Sequence, residues 1–343
     1  MESDFVWIYD PALYRTEYEL MGTNRIVTKT VKPIIATLND ATVRARLFNG
    51  DCRELLAAMP NESVDLTLTS PPYCIGKEYE KDDDIESFIE AHKEIFPEIV
   101  RTTKSGGNIC WQVGFHVKNG VVLPLDYLVY QLLGSIPGIV LRNRIVWTYG
   151  HGFHCENRFS GRYEVVMWFS KGDKYHFDVD AVRVPQKYPG KRHSKGPNRG
   201  ALSGNPKGKN PSDIWCDITD DVWHIPNVKA NHVEKTEHPC QFPVALATRL
   251  IRALSPREGI VLDPFAGVAS TGVASVLEGR RFIGAELSDS YSATARDRLL
   301  DAIGGAAKIR PLEREIYEPK PNEKVAMKPA HFWENLEDVA ASS

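Results

Sequence analysis

The alternation of apolar and polar positions divides the chain into two regular stretches separated by a long irregular one. Residues 46–48 and 64–68 read as short strands, and Leu55, Leu56 and Met59 recur at helical spacing within 51–59, so a β-α-β start is predicted. Apolar residues at Ile85, Phe88, Ile89, Ile95, Phe96 and Ile99 predict a helix over 85–100 despite Pro97, and Ser105-Gly106-Gly107 leads into a strand over 108–113. A helix over 125–133 follows, and strands over 139–147 and 163–169 bracket the irregular stretch 150–161. Beyond Lys171 the composition turns to Gly, Pro, Asn and Lys, without sustained periodicity until about Lys235. Compact domains seldom carry such lengths of plain connection, so a separate module or a set of functional loops is expected there. Regular patterning returns with a helix over 243–254, a strand over 259–262, a helix over 270–277, a strand over 282–286 and a helix over 293–300. The tail after Gly305 mixes Pro, Glu, Lys and Ala and is expected to wrap the surface or fray. There is no internal repeat.

A chain of 343 residues with 42% hydrophobic content can build one large α/β domain with an inserted or appended module. Its six cysteines (Cys52, Cys74, Cys110, Cys155, Cys216, Cys240) form no Cys-x-x-Cys pair, so neither a disulfide framework nor a zinc ribbon is indicated and a reducing cytoplasm fits. His151, His154 and Cys155 imitate metal ligands but lack a fourth partner at recognisable spacing, and no metal is expected. No segment approaches the roughly 18 apolar residues of a membrane span, so a soluble protein without membrane attachment is expected. The net charge of −3 argues by itself against a nucleic-acid partner, but its distribution reverses that judgement. Arg183, Lys187, Lys191, Arg192, Lys195, Arg199, Lys207 and Lys209 fall in one segment with no Asp or Glu among them, a local excess able to neutralise phosphates. The same segment also fits a solvated loop.

Two loop signals carry the chemistry. In 259–271 an apolar strand ends in Asp263, followed by Pro264-Phe265-Ala266-Gly267 and then by Ser270 and Thr271 opening a helix. Gly267 allows close backbone approach, and free N–H groups and hydroxyls at a helix start can hold a carboxylate. Glu286 lies at the tip of the next strand, about 20 residues beyond the glycine turn, the spacing at which doubly wound folds place an acid on ribose hydroxyls. A nucleoside ligand is implied, against the plainer reading of Asp263 as a helix cap. Asp51, just past a strand, suits an exocyclic amino group such as that of adenine, or a helix N-cap. The second signal is Thr69-Ser70-Pro71-Pro72-Tyr73 at the end of the strand over 64–68. Two prolines stiffen this turn and can present a backbone carbonyl outward. Ser70 Oγ and the Pro71 carbonyl can accept both hydrogens of an NH2 group while Tyr73 stacks on the ring that carries it. A proline turn packed by a tyrosine is the local alternative.

With these blocks in this order, the chain resembles the S-adenosylmethionine-dependent amino methyltransferases of DNA, specifically the permuted β class in which the target-base motif precedes the cofactor motif. The resemblance runs through 49–52, 69–73, 237–243, 263–267 and 284–287, covers roughly 46–305, and implies a Rossmann-like doubly wound α/β sheet with an inserted target-recognition region. It implies an N-terminal extension over 1–45, the target-base half of the catalytic domain over 46–149, a target-recognition region over 150–235, the cofactor half over 236–305 and a tail over 306–343. On this likeness Asp263, Phe265, Gly267, Ser270 and Thr271 surround the methionine part of the cofactor, His238 and Pro239 lie near its amino acid end, Glu286 binds its ribose, and Asp51 with Cys52 reaches its adenine. The usual motif is closer to Asp-Pro-Phe-x-Gly-Ser-Gly-Thr-Thr, so Val268 and Ala269 stand in the serine and second-glycine places. Ser70, Pro71, Pro72 and Tyr73 become the catalytic set, acting on a base flipped out of double-stranded DNA. Serine at the first position of that motif is commoner in cytosine-N4 enzymes and aspartate in adenine-N6 enzymes, which favours cytosine. A homodimer is expected by the same resemblance.

Overall fold

The computed structural model describes residues 26–73, 85–149, 155–186, 188, 190–215, 225–229 and 231–310. Among these, nine strands form one sheet. Its edge strand β1 (Val27–Thr28) pairs with β2 (Ala45–Asn49), and the order continues through β11 (Arg281–Glu286), β10 (Ile260–Asp263), β3 (Val64–Thr69) and β4 (Thr103–Val113), all parallel. Then come β8 (Tyr163–Lys171), antiparallel to both neighbours, β7 (Ile139–Thr148) and the short β9 (Ile214–Trp215). A separate hairpin is made by β5 (Phe115–Lys118) and β6 (Val121–Pro124).

Helices cover both faces. Helix α1 (Lys32–Ala36) precedes β2; α2 (Cys52–Ala58), α3 (Ile85–Thr102) and α4 (Leu125–Leu133) pack on one side, and α5 (Val244–Leu254), α6 (Ser270–Leu277) and α7 (Asp289–Ile303) on the other. The period-two alternation of a strand decides which residue meets which layer. In β4, Ile109, Trp111 and Val113 join the core with Leu55, Phe88 and Val129, whereas Cys110 joins Leu246, Leu250 and Val273. In β8, Val165, Met167 and Phe169 go to the first layer and Val166 and Trp168 to the second. Because both faces are covered, these strands read as nearly continuous apolar runs.

The chain steps from β10 through α6 to β11 in one direction and from β3 through α3 to β4 in the other. Strands β10 and β3 are therefore neighbours at the point where the crossovers diverge, which is where an open α/β sheet leaves a crevice beyond its carboxyl ends. The two strands are far apart in sequence yet locked at their other end, where the Ile260 N–H donates to Asp65 Oδ2 at 2.8 Å across 195 residues.

The expected elements are present, with differences at their ends. Helix α7 begins four residues earlier than its apolar spacing predicts, because Ser288 caps it by accepting from the Tyr291 N–H. Residues 26–45, expected as an extension, contribute β1 to the sheet edge and pack Ile34 and Leu38 into the core. The stretch 172–235 holds, among its described residues, a 3-10 turn at Asp180–Val182, β9 and two isolated antiparallel bridges, Val184 with Lys209 and Arg192 with Leu202, in keeping with its lack of periodicity. It is anchored by buried aromatics: Trp147 donates its indole N–H to the Ile225 carbonyl at 2.7 Å, and the Arg249 guanidinium stacks 4.2 Å from the Trp215 ring centre. These two tryptophans are core. His151, His154, Lys187, Trp223 and most of the tail lie outside the described residues.

Candidate active site

One cavity of about 1280 Å³ opens over the carboxyl ends of β2, β11, β10, β3 and β4. Both predicted constellations reach its wall. Asp51, Cys52, His238, Pro239, Phe265, Gly267, Ser270 and Glu286 line it, and so do Ser70, Pro71, Pro72 and Tyr73.

On the cofactor side the chain leaves β10 in a turn that needs unusual backbone. Gly267 has φ +52°, and a Cβ there would lie 3.1 Å from His238 Nε2, so a side chain would push the histidine from its place. Ala269, standing in the second-glycine place, also adopts the left-handed conformation (φ 59°, ψ 43°), where a glycine would be free of the Cβ penalty. Glu286 holds this turn to its neighbour: its carboxylate accepts from the Gly267 N–H and the Ser288 N–H, each at 2.8 Å. Burial pushes its carboxyl up to about 7. The Glu286 carbonyl accepts from the Gly50 N–H at 3.0 Å, which brings Asp51 to the same rim.

Asp51 is the N-cap of α2, accepting from the Arg53 N–H, and also lines the cavity. The Arg53 guanidinium, 2.6 Å away, holds its carboxyl below the ordinary range. Burial pushes the neighbouring Cys52 thiol up to about 12, so it is a neutral wall group. His238 packs edge-on against Tyr291, and burial with Lys235 nearby lowers its imidazole to about 4, leaving it uncharged near neutrality.

Two expected cofactor contacts stand elsewhere. Asp263 and Thr271 are fully buried behind the wall. Asp263 Oδ1 accepts from Thr69 Oγ1 at 2.6 Å and from the Phe265 N–H at 3.1 Å, and Thr271 Oγ1 donates to the Leu68 carbonyl at 3.3 Å. They tie β10 and α6 to the end of β3, and so bring the two motifs together without facing the cavity. Burial pushes the Asp263 carboxyl up to about 6 against the lowering effect of the Thr69 hydrogen bond.

On the base side, Ser70 Oγ lies 3.4 Å from the Tyr73 hydroxyl, and Pro71 is buried beneath them. Burial, and next the nearby Glu164, pushes the Tyr73 phenol up, so the ring carries no charge near neutrality. Facing it are polar groups that motif reading passed over. Gln112 at the end of β4 donates its amide to Glu164 of β8, and the Tyr149 hydroxyl is hydrogen-bonded to the same carboxyl. Glu164 is pushed up to about 7 by burial. The one available signal was a charged residue at the mouth of an otherwise apolar strand.

The basic segment divides. Arg183 is turned inward, paired with Asp180 at 2.7 Å and donating to the Gly208 carbonyl, so it holds its own loop together. Lys207 pairs with the same Asp180 at 2.6 Å, an acid just outside the segment. Arg192 bonds the Gly200 carbonyl, Lys209 is half-buried beside Val184, and Lys191, Lys195 and Arg199 are exposed. None of them lines the cavity.

Residues 64–297 match the family model described as DNA methylase, of the N6/N4 type. The chain belongs to that DNA methylase family. M.BglII, a type II methyltransferase of Bacillus subtilis, is 40% identical over 247 residues, which are 72% of this chain and 66% of M.BglII. M.ScaI of Streptomyces caespitosus, also a type II methyltransferase, is 39% identical over 261 residues, 74% of this chain and 80% of its own. Among solved structures, TTHA0409 of Thermus thermophilus, described as a DNA modification methylase and complexed with S-adenosyl-L-methionine, matches with a TM-score of 0.54 at 27% identity, covering 76% of this chain and 95% of its own. This DNA methylase is thus an S-adenosylmethionine-dependent enzyme of the amino-methylating type. The matches include a relative named for adenine and a structure named for cytosine N4, so the family leaves the base open.

Proposed function

We propose that this DNA methylase methylates N4 of cytosine in double-stranded DNA, at a base flipped into the cavity between Tyr73 and the ends of β3 and β4. The observation that carries the reading is the Ser70-Pro71-Pro72-Tyr73 turn sharing one cavity wall with Gly267 and Glu286. Serine at the head of that turn is the argument for cytosine over adenine.

The wall fits the cofactor. Gly50 and Gly267 leave the backbone bare where side chains would strike Phe48 and His238, and Glu286 offers a carboxylate at the rim. Phe265, Gly267, Ser270, His238 and Pro239 would hold the methionine end, Glu286 the ribose, and Asp51 with Cys52 the adenine. When bound, S-adenosylmethionine supplies a methyl group activated by its sulfonium. The protein's own task is to make a poor nucleophile ready, since the amino lone pair is delocalised into the base. Ser70 Oγ and the Pro71 carbonyl accept the two N–H bonds, which lets the nitrogen pyramidalise, and Tyr73 clamps the ring; positioning and aligned dipoles supply the acceleration.

Lys191, Arg192, Lys195, Arg199 and Lys207, with Lys187, form the phosphate-holding part of the target-recognition region, which fixes the duplex while other side chains read the sequence. Val121, Val122, Tyr127 and Tyr130 are exposed apolar side chains, and covering them with a second copy of the chain fits a homodimer. Among the described residues no helix is long and apolar enough to cross a membrane, and a cytoplasmic modification enzyme of a restriction-modification system fits the whole. The test is incubation with unmethylated genomic DNA and labelled S-adenosylmethionine, digestion to nucleosides and mass spectrometry. N4-methylcytosine is expected; N6-methyladenine would overturn the choice of base, and no labelled nucleoside would overturn DNA as substrate.

A further inference from the structure

A flipped base held by its amino group still presents its ring nitrogens to the protein. In the same cavity wall, β4 and β8 carry a polar cluster, Gln112 and Glu164, that the amino-holding turn does not use. Glu164 and Tyr73 both close on the bare backbone of Gly114, where a Cβ would lie 3.5 Å from Glu164 Cγ and 3.4 Å from Tyr73 Cε2, and all three line the cavity. A ring stacked on Tyr73 is therefore within reach of Glu164. The carboxyl is not free to turn away, because Gln112 donates to Oε2 and Tyr149 bonds the same group.

We propose, on the reading of the cavity as a base pocket, that Glu164 in its neutral acid form donates a hydrogen bond to the ring nitrogen next to the target amino group. Two consequences follow from the chemistry of the bases. Cytosine and adenine both carry a lone-pair acceptor beside the amino group, whereas thymine and guanine carry an N–H at the matching position and meet the donor with a donor. The Ser70 and Pro71 acceptors and the Glu164 donor together read the Watson–Crick edge of a flipped amino base. The ring nitrogen is also the more nucleophilic atom of the pair, since its lone pair lies in the ring plane. Capping it directs the methyl group to the amino nitrogen.

Burial keeps the acid protonated up to about 7, with Tyr73, Tyr149, Cys240 and Lys229 as the other ionisable groups around it. Both phenols are themselves pushed up by burial, so neither changes charge near neutrality. Deprotonation of Glu164 then removes the donor, and kcat/KM falls as pH rises through and above about 7. A general base would give the opposite slope.

The test uses the enzyme and its Glu164→Gln and Glu164→Ala variants, with kcat/KM on unmethylated genomic DNA at saturating S-adenosylmethionine from pH 6 to 9, cofactor binding as the check on folding, and mass spectrometry of the product nucleosides. Wild type should lose activity on the alkaline side. The glutamine variant, which keeps an N–H donor at every pH, should have a flat profile that overtakes wild type at high pH. The alanine variant should fall roughly 10- to 100-fold and release some ring-N-methylated nucleoside. A glutamine variant as impaired as alanine, a wild-type rate that rises through pH 7, or an alanine variant at full rate would each overturn the proposal. If alanine fails to bind cofactor, the glutamine profile decides alone. A wild type that methylates no DNA would instead overturn the reading on which this one rests.

Discussion

The hydrogen bond from Thr69 to Asp263 joins the two halves of the site, and replacing Thr69 by valine removes the hydroxyl while keeping the shape. Asp263 is fully buried and its carboxyl sits at about 6 instead of 3.8, so keeping it ionised in the fold costs roughly 3 kcal/mol above that range. Wild-type stability from this group is therefore greatest in acid and is lost as pH rises through about 6. The 2.6 Å bond from Thr69 limits that loss. Hydrogen bonds to a charged partner contribute about 1.5–3 kcal/mol and neutral ones about 0.5–1.5 kcal/mol, so Thr69→Val should destabilise by about 2–3 kcal/mol at pH 8 and about 1 kcal/mol at pH 5. Urea unfolding at the two pH values reads this difference directly. Neither residue lines the cavity, so cofactor binding should persist below the transition. Equal losses at both pH values would refute the reasoning, because the argument requires the charge on Asp263 to change in between.

Tyr73→Ala and Ser70→Ala should each retain cofactor binding while turnover drops on the order of 10²-fold, measured by methyl incorporation; near-normal turnover in both would remove them from the base site. Glu286→Gln should weaken cofactor binding about tenfold, and wild-type affinity should tighten as pH rises through about 7, where the carboxylate becomes the better acceptor for ribose hydroxyls; a calorimetric titration that is flat with pH in wild type would exclude that contact. The combined change of Lys191, Lys195 and Arg199 to alanine should reduce the slope of log affinity for DNA against log salt by about 3, whereas Arg183→Ala should chiefly lower thermal stability.

What could be read in advance followed from what lies on both sides of each strand. Runs such as 165–169 and 260–262 are apolar because helices cover both faces, so the sheet and its two crossovers were legible. The hairpin of β5 and β6 was passed over although its turn is spelled out: Asn119 and Gly120 have φ 52° and 79°, the conformation that an Asn-Gly pair favours between antiparallel strands. Positions of motif residues were legible as well, but not the direction of each side chain. Asp263 and Thr271 belong to the cofactor motif yet face the protein interior: Asp263, the last residue of β10, is held by the Thr69 hydroxyl, and Thr271, in the first turn of α6, donates back to the Leu68 carbonyl. Arg183 looked like part of a basic surface because Asp180, which neutralises it, sits three residues earlier and outside the segment. Glu164 had no motif around it; its partner Gln112 is brought beside it only by the pairing of β4 with β8.

The juxtaposition of β3 and β10 also sets a timetable for synthesis. At about 5–20 residues per second, the ribosome delivers the 195 residues between Asp65 and Ile260 in roughly 10–40 s. Once β4 has emerged, early in that interval, β3 has β4 on one side and an open edge on the other until β10 arrives, with the buried faces of Leu66 and Leu68 uncovered. The nascent chain therefore carries a sticky half-sheet until its last quarter emerges. Separately expressed halves, divided in the long connection, should be poorly soluble alone and recover cofactor binding when co-expressed, because the missing strand is supplied in trans.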